Sequence, residues 1–134
     1  MATAGYSGTP LVKKLGIKPG IKLLLINPPV NYHELLGQDV QENLVKTGEI
    51  PDMIHLFVDS EAGFFNQMHK LKPIIHAQVI VWVSWYKKTS GIKTDVTEET
   101  IRQYALRHDL VDVKVCAVDE QWSALKLVVP LSKR

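Results

Sequence analysis

A short loop of the chain, Lys87-Lys88-Thr89-Ser90-Gly91, combines two ammonium groups with two hydroxyl groups. It follows a continuous apolar run at residues 77–85 and precedes a helix-start pattern at residues 94–100. Ammonium, hydroxyl and backbone N–H donors hold phosphate or carboxylate groups, and the N-terminus of a following helix favours negative charge. We therefore interpret these five residues as a candidate anion-binding site, the "lysine loop". The alternative is a solvated connection in which Gly91 relieves a turn.

The first part of the chain is basic, because no Asp or Glu precedes Glu34 whereas four lysines do. We predict an N-terminal basic arm over residues 1–19, followed by a single α/β domain over residues 20–134. The arm is expected either to be solvated or to bind an acidic partner. If it folds over the same end of the domain as the lysine loop, it adds further candidate ligand-binding residues. These are Tyr6, Ser7, Thr9, Lys13 and Lys14.

Residue types that form metal or catalytic sites are present, but their spacing does not support such a site. The five histidines show no metal-binding pattern such as His-Glu-x-x-His. The Gly-x-Ser-x-Gly sequence of a serine hydrolase is absent. Cys116 lies in an apolar stretch, where a cysteine usually packs as a small hydrophobic residue. The sequence therefore predicts no metal and no cofactor, assigns no catalytic residue, and argues against an enzyme.

Polar residues at two other places have both a functional and a structural interpretation. Asp95 and Glu98 are candidate catalytic carboxylates, but acids at a helix start also stabilise the helix dipole. Asp119 and Glu120 lie between the last two predicted strands, where the alternatives are a general acid–base pair and a polar turn. Trp122 beside them is a candidate anchor for a protein partner.

The composition is that of an ordinary folded domain. The chain has 134 residues, of which 46% are hydrophobic and 22% charged, so it can bury a sizeable core. A net charge of +2 is too small to indicate nucleic acid or a membrane surface. Trp82 and Trp85 fall on opposite faces of a predicted strand, which favours core packing over base stacking. Without a secretory pattern or a membrane-length apolar run, we expect a cytoplasmic protein.

Apolar periodicity predicts alternating strands and helices. Strands are expected at residues 21–26, 53–58, 77–85, 111–118 and 124–129, with a weak one near 43–46. Helices are expected at residues 31–37, with Asn31 as N-cap and Gly37 just past the end, at 61–70, with Asp59 or Ser60 as the cap, and at 98–108. Residues 11–16 are consistent with one short helical turn that ends at Gly16. This order favours a three-layer, Rossmann-like α/β fold with a mostly parallel sheet of five or six strands and a C-terminal antiparallel hairpin. In open sheets of this kind, ligands bind at the carboxyl ends of the strands, where the lysine loop falls.

The order of elements over residues 50–130 resembles the carboxyl-terminal half of a class I methyltransferase fold. Those enzymes bind S-adenosylmethionine through a Gly-rich turn after the first strand. The equivalent turn here, Asn-Pro-Pro-Val-Asn at residues 27–31, contains no glycine. The resemblance implies a Rossmann-like fold, and it provides the alternative function, a degenerate or atypical S-adenosylmethionine- or nucleotide-dependent transferase.

Three blocks of the sequence resemble a family of small bacterial proteins of unknown function. The blocks are Gly-Tyr-Ser-Gly-Thr-Pro-Leu at residues 5–11, the lysine loop, and Leu-Val-Asp-Val-Lys-Val-Cys-Ala-Val-Asp-Glu-Gln-Trp-Ser at residues 110–123. The resemblance implies a bacterial, cytoplasmic domain and transfers no catalytic residue. Separately, the two polar, basic segments of the chain, the arm and the lysine loop, favour a non-catalytic binding module for a small anionic ligand or a protein partner at the carboxyl ends of the strands. The oligomeric state stays open.

Overall fold

The computed structural model describes residues 9–134 of the protein. Within them the chain forms four α-helices and five β-strands. In chain order these are α1 Leu11–Leu15, β1 Leu23–Ile26, α2 Tyr32–Leu36, β2 Met53–Phe57, α3 Glu61–Leu71, β3 Ile80–Tyr86, α4 Glu98–Arg107, β4 Val111–Ala117 and β5 Trp122–Val128. The expected mixed α/β architecture is confirmed.

The five strands form one sheet in the order β1-β2-β3-β5-β4. β1, β2 and β3 pair in parallel, whereas β5 is antiparallel to both β3 and β4. The C-terminal antiparallel hairpin is therefore confirmed, and the sheet is only partly parallel rather than mostly so. The weak strand predicted near residues 43–46 is wrong. A 3₁₀ turn occupies Gln41–Asn43, and Leu44 forms only a single bridge to Leu23.

Apolar residues on both faces of the sheet form two hydrophobic clusters, which gives three layers. One cluster includes Trp85 with residues of α3 and α4, and the other includes Trp82 with residues of α1 and α2. Side chains alternate between the faces of a strand, and this places the two tryptophans in different clusters as predicted. The inner strand β2 is buried along its whole length, as expected for a strand covered on both faces.

Residues 11–17 pack against the sheet and do not form a solvated arm. Leu11, Leu15 and Ile17 are only 4%, 1% and 6% exposed. The indole Nε1 of Trp82 donates a hydrogen bond to the Leu15 carbonyl at 3.0 Å. A five-residue helix is too short to be stable alone, so this packing is what holds α1 in place. The expectation of a solvated arm is wrong for these residues.

Polar side chains begin the two longer helices. The Ser60 hydroxyl caps α3 by accepting from the Gly63 N–H at 3.0 Å, which is the predicted cap. Asn31 was expected to cap α2, but its side chain makes no capping hydrogen bond. Gly37 ends α2 in the left-handed conformation, as predicted. None of the helices in residues 9–134 combines the length and apolarity needed to span a bilayer.

Candidate functional site

The carboxyl ends of β1, β2 and β3 meet along one edge of the sheet. Asn27 follows β1, Asp59 follows β2, and the lysine loop follows β3. Because β5 runs antiparallel to β3, it begins at the same edge, with Trp122 opposite Tyr86. The lysine loop therefore lies at the edge where open α/β sheets usually bind ligands.

Hydrogen bonds within the lysine loop hold its shape. Residues Lys88–Ser90 form a 3₁₀ turn, and Gly91 ends it with a φ of 78°, a conformation that favours glycine. The Ser90 hydroxyl donates to the Lys87 carbonyl at 2.7 Å and accepts from the Ile92 N–H at 3.1 Å. The hydroxyl of Ser90 is therefore used within the loop and is not offered to a ligand.

Three residues of the lysine loop, Lys87, Lys88 and Thr89, line a surface cavity of about 730 Å³, which we call the lysine cavity. Lys93 and the first turn of α4 form another part of its wall. Lys93 was not among the residues predicted from the sequence. The only indication of it is its position immediately before the helix-start pattern at residues 94–100. Four cationic and two acidic side chains line this cavity, so its walls carry a net positive charge.

Arg102 neutralises the acidic residues of the lysine cavity. Its guanidinium donates to Glu98, to Glu99 at 2.9 Å and to Asp112 at 3.0 Å. Hydrogen bonds from Gln103 and then from Arg102 lower the pKa of Glu99, and the bonds to Glu98, Asp112 and Glu99 raise the pKa of Arg102. Glu99 and Arg102 are therefore held in their charged forms, and Glu98 and Asp112 are both hydrogen-bonded to Arg102.

The three lysines of this cavity have no such partners. Within residues 9–134, neither Lys87 nor Lys88 nor Lys93 forms an ion pair. Three ammonium groups therefore remain available to a ligand, while the acids beside them are occupied by Arg102.

The candidate acids of the helix-start pattern have structural roles. Thr97 and Thr100 form a reciprocal cap, in which each side chain accepts from the other's backbone N–H at 3.3 and 3.2 Å. Asp95 accepts from the backbone N–H of Glu61 at 2.7 Å and so ties this segment to the start of α3. With Glu98 paired to Arg102, the capping interpretation of these residues is supported over a catalytic one.

The predicted arm residues lie elsewhere. Thr9, Lys13 and Lys14 line a separate cavity of about 430 Å³ against β4, which we call the α1–β4 cavity. Its other walls are Lys114, Val115, Cys116 and Ala117. It shares no lining residue with the lysine cavity. The structure therefore does not bring Lys13 and Lys14 to the lysine loop, and Tyr6 and Ser7 lie outside the described residues.

Trp122 is buried, with an exposed fraction of 7%. Its ring stacks on Tyr86 at a centroid distance of 4.0 Å and meets Phe57 edge-on at 4.9 Å. The neighbouring Asp119 carboxylate accepts from the N–H groups of Gln121 and Trp122, both at 2.8 Å. Trp122 is thus a core residue rather than an exposed anchor, and Asp119 stabilises the turn.

Comparison with known proteins gives the fold and nothing finer. No protein family and no curated protein matches the sequence. Among solved structures, the chain is similar to a protein in the NADB-Rossmann superfamily from Streptococcus agalactiae, with a TM-score of 0.54 and 9% identity. The match covers 94% of this chain and 70% of that one.

The fold is Rossmann-like. At 9% identity the likeness extends to the fold alone, and a fold of this kind hosts many unrelated functions. The likeness to a family of small bacterial proteins stays a prediction. In a Rossmann-like fold the carboxyl edge of the parallel strands is the usual binding edge, which is the edge that carries the lysine loop.

A buried polar group that the sequence analysis missed lies beneath this edge. His55 and Ser84, both 0% exposed, meet at 2.7 Å between Nε2 and Oγ. The Tyr32 hydroxyl lies 2.8 Å from the other ring nitrogen, Nδ1. Burial lowers the pKa of His55 to about 3 and raises that of Tyr32. The only sequence signal was a polar residue inside each of two apolar runs.

The Tyr32–His55–Ser84 group is closed off from the edge. The Phe57 ring stacks on His55 at 4.4 Å, and Phe57 is itself 2% exposed. A serine that is not exposed cannot attack a substrate, so these residues form an internal polar network. Within residues 9–134 no cluster of three or more His, Cys, Asp or Glu side chains has a metal-binding arrangement.

Proposed function

We propose that this protein is a non-catalytic binding domain that holds a small anionic ligand in the lysine cavity. The observation that carries the proposal is the charge arrangement there. Lys87, Lys88 and Lys93 are unpaired among the described residues, while the acids of the same cavity are bound by Arg102. An anion would therefore gain three ammonium contacts without displacing an existing ion pair.

The size of the cavity suits a small molecule. Ligand sites usually enclose roughly 300–1,000 Å³, and the lysine cavity encloses about 730 Å³. Lysine is a common point-charge binder of phosphate, and the first turn of α4 adds the positive end of a helix dipole. A ligand with one or more phosphate or carboxylate groups fits this chemistry.

The ionisation of the cavity residues supports binding rather than catalysis. General acid–base catalysis needs a group whose pKa lies near the working pH. The shifts of Glu99 and Arg102 run the other way, because hydrogen bonds hold both in their charged forms. The cavity thus presents fixed charges to a ligand.

The test is a ligand panel of phosphate, sulfate, nucleotides, S-adenosylmethionine and S-adenosylhomocysteine. A ligand present at a hundred times its Kd adds about 2.7 kcal/mol of stability, which a thermal unfolding midpoint detects. We expect at least one phosphate-bearing compound to raise the midpoint, with the affinity then measured by calorimetry. The triple variant Lys87→Ala/Lys88→Ala/Lys93→Ala should bind it at least about tenfold more weakly.

A second triple variant with the same net charge tests whether a loss of affinity comes from the lysine cavity itself or from the lower net charge of the protein. Lys18, Lys46 and Lys70 are exposed and lie outside the lysine cavity, so Lys18→Ala/Lys46→Ala/Lys70→Ala should keep the wild-type affinity. Equal affinity of the wild type and the lysine-cavity triple variant for every ligand found would overturn the proposal. A panel without any response would do the same and would favour a protein partner.

A transferase that uses S-adenosylmethionine or a nucleotide is the second candidate. One observation favours it, namely that the sheet ends in a β3-β5-β4 arrangement with an antiparallel β5, as the resemblance to class I methyltransferases implies. The turn after β1 weighs against it, because it lacks glycine and Asn27 adopts a φ of 55° there. Equilibrium dialysis that retains neither S-adenosylmethionine nor ATP would remove this candidate.

A further inference from the structure

The α1–β4 cavity gathers lysines from two distant parts of the chain. Lys13 and Lys14 come from α1, and Lys114 comes from β4, about a hundred residues later. Among residues 9–134, no acidic side chain lines this cavity of about 430 Å³. It differs in this respect from the lysine cavity, where Glu98 and Glu99 are part of the wall.

A fourth lysine extends this positive surface. Lys126 of β5 is the direct cross-strand partner of Lys114, so the two side chains lie on the same face of the sheet. Like charges placed directly opposite each other on neighbouring strands destabilise a sheet. Within residues 9–134, none of Lys13, Lys114 and Lys126 forms an ion pair with a carboxylate. The repulsion is therefore not offset by an acidic side chain of the fold.

Helix electrostatics explains only part of this arrangement. Lys13 and Lys14 lie in the last turn of α1, where cations interact favourably with the dipole. That account does not extend to Lys114 or Lys126, because both are on strands. An anion bound between these lysines would interact favourably with all of them.

Two of these lysines act electrostatically on the thiol of Cys116, which forms part of the cavity wall. Burial raises the pKa of Cys116, while the charges of Lys14 and Lys114 act in the opposite direction. Cys116 is 8% exposed and lines the cavity. The wall of the cavity at Cys116 therefore lies within reach of the charges of Lys14 and Lys114.

We propose that the α1–β4 cavity is a second binding site, specific for a small multivalent oxyanion such as a diphosphate or a tricarboxylate. Lys13 and Lys114 line this cavity and Lys126 lies beside Lys114, so an anion that carries two or more charges would neutralise this group, whereas a monovalent anion would leave most of the repulsion in place. The site is independent of the lysine cavity, since the two share no residue.

The test uses a variant in which the lysines of the lysine cavity are replaced, so that binding at the α1–β4 cavity is measured on its own. Pyrophosphate and citrate are titrated by calorimetry, at constant ionic strength, into the full chain carrying Lys87→Ala/Lys88→Ala/Lys93→Ala. We expect saturable binding of at least one of them, with acetate much weaker. Adding Lys13→Gln/Lys114→Gln should weaken that binding at least about tenfold, whereas adding the exposed pair Lys18→Gln/Lys70→Gln should leave it unchanged.

Amide chemical shifts locate the binding site. Titration should move the resonances of residues 114–117 and of α1 more than those of α3, and the stronger of the two probes identifies phosphate or carboxylate as the preferred group. No saturable binding, or an equal loss in the two lysine-to-glutamine pairs, would overturn the proposal. Shifts confined to α3 or to other surfaces would also overturn it.

Discussion

The imidazole of His55 on β2 lies 2.7 Å from the hydroxyl of Ser84 on β3, with both side chains fully buried. The Tyr32 hydroxyl lies 2.8 Å from the other imidazole nitrogen, so three elements are joined by one polar group inside the core. A buried polar atom that loses its partner costs about 1–3 kcal/mol. This group is therefore a sensitive point for stability.

Replacing Ser84 with alanine leaves a nitrogen of His55 without a partner. We expect Ser84→Ala, and separately Tyr32→Phe, to lower the free energy of unfolding by about 1–3 kcal/mol, as measured by urea denaturation. Ser123, a half-buried serine of β5, provides the control, since Ser123→Ala should stay within about 0.5 kcal/mol of wild type. Equal stability of Ser84→Ala and wild type would show that the hydrogen bond contributes nothing.

Stability should depend on pH through His55. Burial lowers its pKa to about 3 in the folded protein, against about 6.5 in an unfolded chain. Below pH 6.5 the unfolded state binds a proton that the folded state does not, so the free energy of unfolding falls as the pH drops. The slope should approach about 1.4 kcal/mol per pH unit.

Urea denaturation between pH 7.5 and pH 4.5 measures this slope. The variant His55→Gln should flatten it, whereas His33→Asn should retain it because His33 is only half-buried. A wild-type stability that stays constant from pH 7 to pH 5 would contradict the prediction.

Gly91 should contribute both to the stability of the fold and to anion binding at the lysine loop. A side chain at a φ of 78° is strained, so Gly91→Ala should cost about 1 kcal/mol and weaken binding of any anion found for the lysine cavity. Gly48 has a similar φ of 87° and equally open surroundings, but it lies outside this cavity. Gly48→Ala should therefore lose similar stability without loss of affinity, and equal affinity in the two variants would argue against a role for the loop shape.

The hydrogen bond from Trp82 to α1 should hold that helix on the sheet. Trp82→Phe removes the donor to the Leu15 carbonyl, and we expect a loss of about 2 kcal/mol with faster hydrogen exchange at residues 11–17. Trp85 lies in the other hydrophobic cluster, and Trp85→Phe should leave exchange in that segment unchanged. Exchange at residues 11–17 that is equally slow in the two variants would contradict this role.

Patterns of apolar residues in the sequence predicted the strands and helices that are stabilised by burying one or both of their faces. The apolar run of β3 and the periodic face of α4, with Ile101, Tyr104 and Ala105 buried, were both read correctly for this reason. The packing of the five-residue α1 on the sheet could not be predicted, because it depends on long-range contacts such as that with Trp82. The same limit applies to the buried polar group, since the pairing of His55 with Ser84 depends on the register of two strands.

For the candidate site, the position of the lysine loop could be predicted from the sequence, but the positions of the other lysines could not. The lysine loop falls at the carboxyl end of β3, because loops between a buried strand and a helix must lie there. Its separation from Lys13 and Lys14 could not be predicted, since it depends on where α1 lies on the sheet. The addition of Lys114 to those two lysines likewise arises only from the position of β4 beside α1.

The hydrogen bond between Leu15 and Trp82 joins residues 67 positions apart, and this has a consequence for synthesis on the ribosome. The residues of α1 are made before those of the sheet, yet the cluster that buries them includes Trp82, Cys116 and Ala124. The apolar side chains of α1 therefore stay without their full packing surface until nearly all of the sheet has been translated. During that interval the nascent chain carries an unpacked hydrophobic segment that contains Lys13 and Lys14, and exposed apolar surface of this kind makes a partly folded chain prone to aggregation.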